Sequence, residues 1–228
     1  MVLVAYVAVA YLLFPGAWDV WFRKHPALDD LPGITTTSVG LPGDPLNVAL
    51  IGTKPQVVTI LQTAGWFASD PLSLRSDAEI AEATVLDRPY AAAPVSSLFL
   101  YGRKEDLAFE KPVGDSPQRR NHVRFWKSPK TDPDGRVVWI GSASYDKGIG
   151  LSHETGQITH HIAPDVDAER TRLFDDLRKT GNLSEDYLVR GFHKEREGRN
   201  GGGDPWKTDG ALRVGVIVPR LVPGTSGP

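Results

Sequence analysis

Two runs in the middle of the chain, "NHVRFWK" (121–127) and "RVVWIGSASYDKG" (136–148), are separated by "SPKTDPDG". Both runs are rich in β-branched and aromatic residues, and the segment between them is built of turn formers. Such a pair folds as a β-hairpin, which commits the centre of the chain to antiparallel sheet. In a strand, alternate side chains share a face, so His122, Arg124 and Trp126 lie on one side and Val123 and Phe125 on the other. With Val123 and Phe125 in the core, the first three make a polar and aromatic surface, with Arg119 and Arg120 at its entrance. The alternative is a solvated strand face whose charges protect an edge.

Around this hairpin the pattern mixes helices and strands. "LNVALIG" (46–52) is a short β-type run that opens the folded domain, and "KPQVVTILQTAGW" follows with helical spacing at Val57, Val58, Leu61 and Ala64. A second helix is expected over 76–86. "SSLFLYGR" (96–103), "DLAFEK" (106–111) and 157–162 read as strands. "DVDAERTRLFDDLRK" (165–179) is the clearest helix, with Val166, Leu173, Phe174 and Leu177 on one face and Gly181 closing it. "YLVRGF" and "ALRVGVIV" are the last strands, on either side of a glycine-rich loop. Segregated helices and strands predict an α+β fold with a mixed, largely antiparallel sheet and a few packed helices. The regular strand–helix alternation of a dinucleotide-binding fold is missing.

The N-terminus points to a membrane. From Met1 to Trp18 there is no charge, and a helix of that length spans about 27 Å, close to the hydrocarbon thickness of a bilayer. Trp18, Trp21 and Phe22 stand where an interfacial aromatic belt lies, followed by Arg23 and Lys24. The alternative is a buried core helix. The expected organisation is a membrane anchor over 1–22, a linker or extended arm over 23–45, a domain over 46–218 and a flexible tail over 219–228. Net charge is −2, so no global basic field exists for nucleic acid, and any anion recognition must be local. The absence of cysteine removes disulfides and thiolate chemistry.

Three groups of residues carry candidate chemistry. Arg119, Arg120 and Arg124, with Lys111, supply charge for a phosphate or carboxylate, Trp126 an apolar platform, and His122 a polar contact. His122, His153 and one of His160 and His161 stand near Asp146 as a metal or acid–base set. Adjacent histidines in a strand face opposite ways, so at most one of His160 and His161 joins such a set. No tight metal spacing such as H-E-x-x-H is present, and a divalent metal is not the favoured reading. Asp165, Asp167 and Glu169 open a helix behind Pro164, where negative charge satisfies orphan N–H groups and the dipole. "GRNGGGDPW" (198–206) lacks the Lys-Ser/Thr of a phosphate-binding loop and reads as a flexible turn.

The strings "GDPLNVALIG", "AGWFASDPLSLRS", "RPYAAAPVSSLFLYGRKEDLAFEKPVGDSPQRRNHVRFW", "GQITHHIAPDVDAER" and "GRNGGGDPWKTDG" resemble, in order, the LssY-like C-terminal domain of bacterial membrane proteins, over about residues 43–218. That resemblance implies no established reaction and no assigned catalytic residues. Some members of the family carry this domain beside membrane segments resembling lipid-phosphate phosphatases, whose signature is absent here. It implies a phosphorylated lipid, or a membrane enzyme handling one, as partner. Arg23 and Lys24 argue for a cytoplasmic domain by the positive-inside rule, whereas the anchored members of the family tilt the expectation to an extracytoplasmic one.

Three functions follow as expectations. The first is a membrane-tethered domain that binds an anionic ligand or phosphorylated headgroup. The second is a His/carboxylate hydrolase of phosphate or other esters, with His122, His160, His161 and Asp146 as its acid–base candidates. A non-catalytic assembly module is the third.

Overall fold

A computed structural model describes residues 31–69, 97–114, 119–151 and 158–220, together with Tyr6, Val9 and Leu28. The expected anchor, the helix over 76–86, His153 and most of the tail lie outside these residues. Among the described residues, no helix is long and apolar enough to cross a membrane.

In chain order the elements are β1 (Ile34–Thr37), β2 (Pro42–Pro45), β3 (Val48–Ile51), α1 (Lys54–Thr63), β4 (Phe67–Ala68), β5 (Leu98–Leu100), β6 (Arg103–Lys104) and β7 (Leu107–Pro112). Then come β8 (Arg120–Thr131), β9 (Val137–Leu151), β10 (Ile158–Ile162), α2 (Val166–Lys179), β11 (Leu183–Val189), β12 (Glu197–Arg199), β13 (Pro205–Lys207) and β14 (Leu212–Ile217). An eight-stranded sheet runs β11-β14-β3-β9-β8-β7-β4, with β10 added to β9. Its described pairs are antiparallel except β14 with β3. The result is α+β, as the sequence pattern predicts.

The β8–β9 hairpin is the backbone of this sheet. Its turn is closed by Asp132, whose carboxylate accepts from the N–H groups of Asp134 and Arg136 at 3.0 and 2.7 Å, while Gly135 takes the left-handed conformation. The sheet buries both faces. Val48, Leu50, Val123, Phe125 and Trp139 pack with α1 and α2. Ala49, Ile51, Trp126, Val138 and Ile140 pack on the other side, against Leu98 and Leu100 of the small sheet β2-β1-β5-β6. Burial on both sides is why β3 reads as an unbroken apolar run rather than an alternation.

Two segments fold differently from the sequence reading. The run 96–103 is a hairpin rather than one strand: Tyr101 and Gly102 both have positive φ, a two-residue turn that reverses β5 into β6. The segment 23–45, read as a linker, contributes β1 and β2.

Candidate functional site

The hairpin register brings the polar residues of β8 and β9 together. Arg120 stands opposite Asp146, His122 opposite Ser144, and Arg124 opposite Ser142. Glu110 of β7 lies opposite His122 on the far side. All seven are buried, so their charges must be met by one another or by neighbouring groups.

His122 is at the centre. Its Nδ1 lies 3.0 Å from Asp146 Oδ1, a close contact without the alignment of a hydrogen bond. On the other side of the ring, Nε2 meets Ser144 Oγ at 3.0 Å and Arg124 Nη1 at 3.2 Å. A guanidinium N–H only donates, so this arrangement makes Nε2 an acceptor and places the ring proton on Nδ1, toward Asp146. Arg120 ties three partners together: Nε donates to Asp146 Oδ2 at 3.1 Å, Nη1 donates to Glu110 Oε2 at 2.9 Å, and Nη2 lies 3.3 Å from His160 Nε2. Arg124 also lies 3.6 Å from Asp44 Oδ2 and 3.9 Å from Glu105 Oε1.

Charge sets the protonation of the cluster. Burial pushes the Asp146 carboxyl up, but His122, His160 and Arg120 together outweigh it and hold it down at about 2. Burial holds His160 below its ordinary value. Asp146 opposes that, and Arg120, His122 and Arg124 reinforce it. Asp146 is thus a fixed carboxylate, and His160 is the half-buried basic member at the rim.

Of the two adjacent histidines, His160 therefore joins the site. His161 does not: its Nδ1 lies 2.8 Å from Asp204 Oδ1, and its ring covers Gly150, where a Cβ would come within 2.5 Å of Nε2. Among the described residues, no group of three or more His, Asp or Glu is arranged to hold a metal ion.

The remaining candidates separate. Trp126 offers no surface platform, because it is fully buried in the second core and donates through Nε1 to Arg103 O at 3.3 Å. Lys111 projects to the helical side, where Nζ donates to Ala64 O at 3.0 Å and Asp176 Oδ2 at 2.8 Å. Arg119 is exposed beside the cluster. Asp165 caps α2, accepting from Ala168 N at 3.2 Å, but Glu169 turns inward and is buried.

The glycine-rich segment is an ordered hairpin, β12–β13, rather than a flexible turn. Asn200 Oδ1 accepts from the N–H groups of Gly202 and Asp204, each at 3.0 Å. Its Nδ2 donates to Asp44 Oδ1 at 3.0 Å, which links the loop to Arg124.

Ser144, Glu110, Asp44 and Asn200 escape the sequence reading. Ser144 was within reach, since "SASYD" repeats a polar residue every second position opposite Arg124, His122 and Arg120. Asp44 and Asn200 meet across 156 positions, and no local pattern announces such a contact.

No match was found among curated proteins or among solved structures. The family model described as LssY C-terminus matches residues 28–212, a span that takes in β1 to β13, α1, α2 and every member of the cluster, and ends at the first residue of β14. The chain belongs to the LssY C-terminus family.

Proposed function

We propose that this domain binds the anionic group of a ligand, a phosphate or carboxylate, at the cluster formed by Arg120, His122, Arg124 and His160. The observation that carries the reading is the pair of guanidinium groups set four residues apart on one buried strand face, with His122 between them. Each lies within 3.3 Å of a histidine nitrogen. Guanidinium groups held in a dry, preorganised frame recognise such oxygens far better than exposed ones do. The uncharged N-terminal run supports a bilayer as the setting and a phosphorylated lipid headgroup as the source of the anion. Tethering would raise the local concentration of the domain over such lipids.

The test is a titration of the full chain in detergent against inorganic phosphate, and against phosphatidylcholine vesicles with and without phosphatidic acid. Arg124→Lys keeps the charge but loses the planar fork, and is expected to weaken binding about tenfold. Phosphate binding without a preference for the phosphatidic-acid vesicles would assign a soluble ligand. Unchanged affinity in both Arg124→Lys and Arg120→Lys would overturn the reading.

A further inference from the structure

We propose that a groove on the helical face of the large sheet is a second ligand site, and that it takes a polyhydroxylated small molecule such as a monosaccharide. It lies across β8 from the anion-binding cluster and does not rest on that reading.

The groove forms where the apolar floor of the sheet runs out. Val123 and Phe125 face α2 and pack in its core. Alternation puts Asn121 on that same face, between Arg120 and His122, which face the other way. On α2, Leu173, Phe174 and Leu177 enter the core. Ala168, Thr171, Arg172 and Asp175 form an exposed stripe at helical spacing beside them. The end of β7 supplies the rest of the lining, with Lys111 paired to Asn121 and Pro112, Val113 and Gly114 following it. The groove so formed holds about 580 Å³, the size of a small-molecule cleft.

Two buried oxygens are left unmet here. Asn121 lines the groove although it is only 3% exposed, and its Oδ1 has no hydrogen-bond partner among the described residues. Glu169 stands one contact behind the lining. Its Oε2 lies 3.5 Å from Nε of Arg172, and its Oε1 is likewise without a hydrogen-bond partner among the described residues. A buried polar atom beside a roomy polar groove finds its partner in water or in a ligand.

The charges of the lining select the class of ligand. Lys111 and Lys179 both donate to Asp176, at 2.8 and 3.2 Å, and Asp175 pairs with Arg178 at 3.3 Å. Cations and carboxylates are therefore interleaved, so a multiply charged ligand of either sign meets repulsion as well as attraction. Burial holds the Glu169 carboxyl up at about 8, which keeps it mostly protonated at neutral pH. Hydroxyl groups suit such a lining, because each one both donates and accepts. A hydroxyl can satisfy either end of the Asn121 carboxamide, and its neighbours can accept from Arg172 or donate to Asp175. Pro112, Val113 and Ala168 offer small apolar surfaces to the C–H faces of a sugar ring.

The experiment titrates the full chain, in a detergent without a sugar headgroup, with glucose, galactose, mannose and N-acetylglucosamine, and separately with inorganic phosphate. Binding is read from the amide resonances of Asn121, Ala168 and Thr171. At least one sugar should shift them with an affinity in the millimolar range or tighter. Thr171→Trp fills the groove from an exposed helix position, so it should abolish that binding and keep the wild-type urea midpoint. Asn121→Ala gives an independent reading, since Oδ1 makes no protein hydrogen bond to lose, and should weaken binding about five- to tenfold. No shift with any of the four sugars would overturn the proposal. So would a sugar affinity unchanged in both variants, or movement of these resonances with phosphate and with none of the sugars.

Discussion

Two buried carboxyl groups in this protein are driven in opposite directions, and the difference lies in what surrounds them. Asp146 has Arg120, His122 and His160 about it and is held at about 2. Glu169 is buried on the helical side, where burial pushes its carboxyl up; Arg172 offsets part of that, Asp176 and Asp146 add to it, and the carboxyl reaches about 8. Among the described residues, Arg172 Nε stands 3.5 Å from Oε2, and Oε1 has no hydrogen-bond partner. The linkage signs follow. The folded Asp146 releases its proton more easily than the unfolded one, so its stabilisation is present above the ordinary carboxyl range and fades as pH falls toward 2. That contribution is about 2 kcal/mol. Glu169 holds its proton longer when folded, so its contribution is complete below its unfolded value and is lost as pH rises toward 8. Urea unfolding at pH 5 and pH 8 should therefore show Glu169→Gln nearly neutral at the lower pH and stabilising by several kcal/mol at the higher; equal effects at both would contradict the assignment. Asp146→Asn leaves Arg120 and His122 facing a neutral group in a dry site and should cost about 3 kcal/mol.

At the scale of elements, the strands are held in place by a few side chains that do backbone work. Asn47, fully buried, donates to Ala143 O and Val166 O at 2.9 Å each and accepts from Ala143 N at 2.8 Å. It thereby joins the entry of β3 to β9 and to the first turn of α2. Asn47→Ala would strand three buried backbone groups and should lower stability by about 3 kcal/mol or more, visible as a fall in the urea midpoint. The start of α1 is a capping box: Thr53 Oγ1 accepts from Gln56 N at 3.4 Å, and Gln56 Oε1 accepts from Thr53 N at 2.8 Å. Thr53→Ala should cost about 1 kcal/mol. These elements were legible in the sequence to differing degrees. The hairpin was plain because its turn chemistry and its period of two are local. The β5–β6 reversal was not, because Tyr101 is an unusual residue to take positive φ. Once the turn is formed, its side chain packs against the second core.

Across the whole molecule, one polar chain links parts that are far apart in sequence. It runs from the β12–β13 hairpin through Asn200 and Asp44 to Arg124 and His122, then through Asp146 and Arg120 to His160 and Glu110. The small sheet thus bears on the site through Asp44 of β2. Asn200→Ala removes that link together with two loop hydrogen bonds. It should weaken phosphate binding several-fold and speed amide exchange at Gly202 and Asp204, whose N–H groups Asn200 holds. Unchanged exchange at both amides would refute the structural role given to the loop.

The sequence by itself determined what depends on near neighbours along the chain: the α+β class, the β8–β9 hairpin, α2 with its Asp165 cap, and the family. Alternation also placed His122 and Arg124 on one face and limited the His160–His161 pair to a single participant. Only the tertiary structure decided which histidine that is, because the choice depends on how β10 registers against β9. It also moved Lys111 to the opposite face, buried Trp126, and brought Asp44 and Asn200 to Arg124. The physical reason is the same in each case. Local pattern sets which way a side chain points relative to its strand, but the partner it meets there is set by sheet order and packing.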